Sequence, residues 1–256
     1  MRFKQYFVLV MLVLLAACTV KTQMPLKPGL EPAPTQLDIP FTRQSGPSCV
    51  PSQVTMALNY YFPERSYTLE QVDNMIGRKG DYWTWFSQAI PILVNEGLDA
   101  HYYSTTPYFE LNPEFVLRYY GQQDGTLINS VTDWPELNKS IEYLNQHPER
   151  YTQTKLFWSE VENAFNQGSI IIMIIDQNTL SHNPGIYAGH GVTITFINET
   201  HVKFHNSNSG PNQIALKEDF VAAWNAKGTD NDVILVRGKV YYFLATALYA
   251  EITTMK

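Results

Sequence analysis

A thiol at Cys49, an imidazole at His190 and a carboxamide at Asn206 are the side chains of this sequence best equipped for covalent catalysis. Sulfur attacks a carbonyl as thiolate, so a nucleophilic cysteine needs a base to take its proton and a third group to hold that base in one tautomer. The residues around Cys49 suit that role. Gly46 and Pro47 mark a turn, Ser48 or Cys49 can cap, and Pro51 fits only the first turn of a helix, which predicts a helix beginning at Cys49. There, unpaired backbone amides and the helix dipole favour the ionised sulfur. Gln44, five residues earlier, can set its side-chain amide beside the thiol and donate to an oxyanion. Taken singly, a free cysteine is as often a small buried hydrophobe, and a strand histidine a satisfied core residue. Their company decides between the readings.

That company depends on a hairpin. Gly189 to Phe196 alternates as a strand, Asn198-Glu199-Thr200 turns, and Val202 to Asn206 returns. A turn centred on Glu199 pairs Val192 with Asn206 and His190 with Asn208, so His190, Asn206 and Asn208 share one face. Asn206 is then the first choice to orient the imidazole. Asn208 and Asp176 are alternative orienters, and His182, in the loop before the strand, is the rival base. His205 points to the opposite face, and no His, Cys or carboxylate spacing matches a metal motif, so no metal or other cofactor is expected.

The other elements must hold these groups in place. Val50, Val54, Ala57, Leu58 and Tyr61 recur at helical spacing and give the Cys49 helix one apolar face. Thr68 and Gln71 form a capping box ahead of Leu69, Val72 and Ile76, with Gly77 as the stop. A further helix is expected from Thr84 to Glu96, kinked at Pro91. Tyr82, Trp83, Trp85 and Phe86 read either as core or as the lining of a groove. The segment 105–155 carries helical patterns at Pro113 to Tyr120 and Asp133 to Gln146 and reads as an insertion. Ser159 and Glu162 suggest a second capping box opening a helix that ends near Gly168. Ile170 to Ile175 is a β-branched run buried on both faces. Lys217 to Trp224 reads as a helix, and Val233 to Val236 with Val240 to Leu244 as strands that close the sheet. The expected class is α+β: N-terminal helices packed on an antiparallel sheet that carries His190, with a helical insertion.

At the N-terminus, Arg2 and Lys4 precede an apolar run from Phe7 to Ala17 that ends at Cys18, the pattern of a signal peptide over 1–17. Leu15-Ala16-Ala17-Cys18 resembles the lipobox of bacterial lipoproteins. That resemblance implies a lipid on Cys18 and, with Thr19 and Val20 following in place of an aspartate, an outer-membrane anchor facing the periplasm. Residues 18–38 carry Pro25, Pro28, Pro32 and Pro34 among polar residues and read as an extended tether. Residues 39–256 then form one domain with its insertion. Loss of the signal leaves 16 basic against 24 acidic side chains, a net charge of −8, which argues against nucleic acid as a partner. The chain has two cysteines, so a lipidated Cys18 leaves Cys49 alone in an oxidising compartment, where a reactive role gains weight.

The stretch Gln44-Ser45-Gly46-Pro47-Ser48-Cys49-Val50-Pro51 resembles the opening of the bacteriocin-processing peptidases of the papain-like clan, in which a glutamine and a short loop precede a cysteine at the start of the core helix. The likeness extends over roughly 41–103 and 159–236, and the family's aspartate-proline at the end of the second hairpin strand reads Asn206-Ser207 here. It implies a papain-like fold and a membrane-anchored cysteine peptidase acting on a peptide or protein. In that reading Cys49 is nucleophile, His190 base, Asn206 orienter and Gln44 oxyanion donor. A papain-like acyltransferase and an inactive relative that binds a peptide or envelope partner are the alternatives.

Overall fold

The structure is a computed structural model, and it describes residues 36–183, 185 and 187–240. The expected signal peptide, Cys18 and nearly all of the tether lie outside the described residues, as do positions 241–244 of the last expected strand.

Cys49–Tyr61 forms α1, with Pro51 in its first turn. Val54, Ala57 and Leu58 are fully buried on its inner face, each of the two larger ones contributing on the order of 2 kcal/mol by leaving water. Leu69–Ile76 is α2, held by the Thr68–Gln71 capping box and ended by left-handed Gly77, as the sequence predicts. The expected Thr84–Glu96 helix is shorter: a tight 3-10 turn at Phe86–Gln88 leads into α3, Ala89–Asn95, with Pro91 in its first turn rather than at a kink. Strand β1, Leu98–Ser104, follows at once.

Segment 105–155 holds three α-helices, α4 (Pro113–Tyr120), α5 (Gln122–Ser130) and α6 (Trp134–Gln146), and a short strand β2, Tyr151–Gln153. Next come α7 (Trp158–Asn166), β3 (Ile170–Asp176), the single turn α8 (Gln177–Leu180), β4 (Gly189–Ile197), β5 (His201–Asn206), β6 (Gly210–Leu216), α9 (Lys217–Trp224) and β7 (Val233–Lys239). The N-terminal box of α7 is shifted from the expected one. Glu160 accepts the Phe157 amide at 2.7 Å, while Glu162 pairs with Lys217 of α9 at 3.0 Å.

The seven strands form one sheet in the order β2-β1-β7-β3-β4-β5-β6. Every neighbouring pair is antiparallel except β1 with β2, which run parallel. The fold is therefore α+β, with helices packed on a mainly antiparallel sheet. Opposite faces of β4 and β5 receive different helices. Thr193 and His205 are paired on one face, where α1 reaches Thr193; Ile194 and Phe204 are paired on the other, where the ring of Phe220 from α9 meets Phe204 at 5.1 Å.

Candidate active site

The candidate site lies where the start of α1 meets the start of β4. Gly46, at φ +60°, makes the turn that delivers the chain into α1. Ser48 does not cap the helix, because its hydroxyl accepts the Ser45 amide at 3.0 Å and donates to the Ser45 carbonyl at 2.9 Å. The first amides of α1 are thus left for Cys49. Those of Cys49 and Val50, together with that of Gly191 from β4, favour the ionised sulfur, but enclosure of the thiol is the larger influence and raises it above its ordinary value. Part of the Cys49 residue reaches the surface while its sulfur is enclosed.

Gly191 seats the strand on the helix. A methyl group there would stand 3.6 Å from Cγ of Gln53 and 3.8 Å from Cβ of Cys49, so the β4 backbone rests on the first turn of α1. His190 is the adjoining residue, 5% exposed, and its Nε2 is buried with no hydrogen-bond partner. Burial pushes the imidazole down to about 4, and the side chain of Asn206 acts in the opposite, smaller direction. At neutral pH the thiol is therefore protonated and the imidazole uncharged, and the structure records no hydrogen bond between them. The thiolate favoured by the helix N-terminus does not prevail, because desolvation outweighs the amides.

Asn206 is the expected orienter that the structure brings to His190. The register is as predicted, Val192 opposite Asn206, and both side chains lie on the face of His190. Its Oδ1 also accepts the amides of Asn208 at 3.0 Å and Ser209 at 3.1 Å, so the same carboxamide shapes the turn into β6. The alternatives are placed elsewhere. Asn208 is exposed, beyond the end of β5, with its carbonyl accepting from Arg43 at 2.9 Å. Asp176 caps α8, its Oδ2 accepting the Thr179 amide at 3.2 Å and its Oδ1 the Ala188 amide at 2.7 Å. His182 is exposed and pairs with Asp219 at 3.3 Å. The two ring nitrogens of His205 are both engaged, with the Ile39 carbonyl and the Asn212 amide.

Gln44 is tied to the end of β5: its amide donates to the Ser207 carbonyl at 3.0 Å, and its Oε1 accepts the Ser207 hydroxyl at 2.7 Å. Its Nε2 donates once, to the Gly46 carbonyl at 2.9 Å, leaving a second hydrogen for a ligand.

One residue was not anticipated. Gln53, fully buried, donates from Nε2 to the Gly191 carbonyl at 2.9 Å and to the Ser207 hydroxyl at 3.3 Å, and accepts the Thr193 hydroxyl at 2.6 Å. Its only signal in the sequence is position: a polar residue one helical turn after Cys49. The aromatic cluster divides, with Phe86 in the core, Tyr82 and Trp83 exposed, and Trp85 donating to Thr132 at 3.1 Å.

No family model matches the sequence, and no curated protein does. Among solved structures it is similar to a double glycine motif protease from an AMS/PCAT transporter in complex with the leader peptide, at 15% identity and a TM-score of 0.42, covering 81% of this chain and 99% of that one.

The neutral imidazole has a consequence for stability. With its pKa near 4 in the folded chain and about 6.5 unfolded, His190 takes up its proton first in the unfolded state as pH falls. Its contribution is intact above about pH 6.5, declines from there, and is gone below about 4, a loss of about 3 kcal/mol. Urea unfolding at pH 7 and pH 4.5 is expected to show most of that loss in the wild type and a much smaller one in His190→Gln. Equal losses in the two proteins would mean that the imidazole is not held neutral by the fold.

Proposed function

We propose that this chain is a cysteine peptidase of papain-like form, anchored by a lipid on Cys18 to the outer membrane and facing the periplasm. The observation that carries the reading is the seating of Gly191 on the first turn of α1, which sets Cys49 beside a strand whose adjoining residue, His190, keeps a buried nitrogen without a partner. His190 takes the thiol proton as sulfur attacks the peptide carbonyl. The resulting oxyanion is met by the Cys49 amide and the remaining Nε2 hydrogen of Gln44. The imidazolium then protonates the leaving amine, and water, deprotonated by the same imidazole, releases the acyl group and restores the thiol. Asn206 orients the ring throughout.

The raised thiol and lowered imidazole favour a second reading, in which the same cleft binds a peptide without cutting it. Incubating the purified chain with a peptide library in H2(18)O separates these readings. A peptidase yields paired fragments with the heavy oxygen in the new C-terminus. Transfer of the acyl group to an added amine without that label would instead mark an acyltransferase, and retention of intact peptides on the folded protein would mark the binding relative.

A further inference from the structure

The oxyanion donor and the orienter of the imidazole meet at one residue to which the proposed chemistry gives no part. Ser207 directly follows Asn206, just past the end of β5, and is fully buried. Its carbonyl accepts the Gln44 amide at 3.0 Å and its hydroxyl donates to Gln44 Oε1 at 2.7 Å, so main chain and side chain together clasp the loop before α1. The same hydroxyl accepts Gln53 Nε2 at 3.3 Å.

The direction of these bonds is fixed from both ends. A peptide carbonyl can only accept, and a hydroxyl has a single hydrogen to give. The Gly191 carbonyl takes a hydrogen from Gln53 at 2.9 Å, which turns the nitrogen of that carboxamide towards Gly191 and Ser207 and leaves its oxygen to accept the Thr193 hydroxyl at 2.6 Å. Ser207 accepts from that nitrogen, so its own hydrogen goes to the oxygen of Gln44. At the far end the Gly46 carbonyl takes a hydrogen from Gln44 Nε2 at 2.9 Å, which demands the same polarity. Gln44 is only half-buried, and rotation about one soft torsion would exchange its oxygen and nitrogen. In the exchanged state an oxygen would meet the developing negative charge and repel it. We propose, as an extension that rests on the peptidase reading, that Ser207 is a positioning residue whose hydroxyl keeps the Gln44 oxygen turned inward and so offers the remaining Nε2 hydrogen to the oxyanion. None of the three side chains ionises near neutrality, so this hold does not vary with pH.

Initial rates of the full chain on one cleaved peptide, for wild type, Ser207→Ala, Gln44→Ala and the double variant, test this role. Ser207→Ala keeps the main-chain bond to Gln44 and is expected to lower kcat about tenfold, with KM and the shape of the pH profile unchanged, against about a hundredfold for Gln44→Ala. In the Gln44→Ala background the serine substitution should slow hydrolysis by less than about twofold further, since no carboxamide is left to orient. Alkylation of Cys49, which forms no oxyanion, should run at the wild-type rate in Ser207→Ala. Should that variant fail to fold, Ser207→Cys, close in size and a weaker donor, gives the same comparison with a smaller loss. An equal loss in both backgrounds, slowed alkylation, or a serine variant as fast as wild type would overturn the role of Ser207 and leave the peptidase standing. Hydrolysis that Cys49→Ala does not slow would remove the peptidase reading and this role with it.

Discussion

Alanine at Cys49 or at His190 is expected to lower kcat/KM for peptide hydrolysis by about 10⁴-fold or more, and the double variant to be no slower than the Cys49 single variant, because nucleophile and base act as one unit. Initial rates on a peptide recovered from the library would check both. The pH profile tests the same pair more closely. An imidazole held at about 4 by burial is already uncharged at neutrality, so the acid limb of kcat/KM should fall near pH 4. Alkylation of Cys49 should stay slow until the pH passes the ordinary thiol range of about 8.5, since enclosure raises the sulfur. An acid limb between 6 and 7, with a thiol titrating well below 8.5, would instead indicate a preformed thiolate–imidazolium pair and refute the enclosed neutral site. Two equal single variants with a much slower double variant would show that Cys49 and His190 do not work together.

The pairing of Val192 with Asn206 was legible in the sequence, but the route to it was not. The turn leaves four residues between Ile197 and Val202, and the pairing slips at a bulge between Ile194 and Phe196 that returns the far end of the hairpin to the expected register. The Thr195 carbonyl at this bulge accepts the Leu37 amide at 2.8 Å, a tertiary contact invisible to local pattern. Three elements were hidden for separate reasons. Leu98–Ser104 alternates in burial as a strand should, yet Asp99 and Ala100, residue types depleted in strands, stand near its start. Gly210–Leu216 is an edge strand, where Pro211 and Asn212 are tolerated although they read as loop. In α5, Gly125 looks like a breaker but is there for contact: a methyl group would stand 2.8 Å from Leu117 Cα on α4. At the site, residue types and spacing put forward Cys49, His190 and Asn206 as candidates, and the structure brings Asn206 to His190. The electrostatics were not readable, because the balance between helix amides and desolvation depends on enclosure, which only the packed structure supplies.

Gln53→Leu is expected to destabilise the chain by about 2–4 kcal/mol and, in molecules that remain folded, to lower kcat/KM about a hundredfold. Leucine approximates the volume but has no polar atoms. The Gly191 carbonyl, the Ser207 hydroxyl and the Thr193 hydroxyl would each lose a partner inside the protein, and a buried group left unsatisfied costs about 1–3 kcal/mol, reduced where it finds another bond. Ser207 retains Gln44 at 2.7 Å, which keeps the total below the sum of three full penalties. The effect on rate has a different origin. Gln53 holds β4 at Gly191 and, through Ser207, the end of β5, so it fixes the two residues that follow His190 and Asn206 in sequence. Without it the base and its orienter shift together relative to Cys49, and a displacement near 1 Å is enough for the expected loss. Urea titration gives the first quantity. For the second, rates are taken at a temperature where circular dichroism shows the variant fully folded. A deficit that disappears under those conditions would reduce Gln53 to a packing residue; one that persists with an unchanged KM assigns it the positioning of the pair.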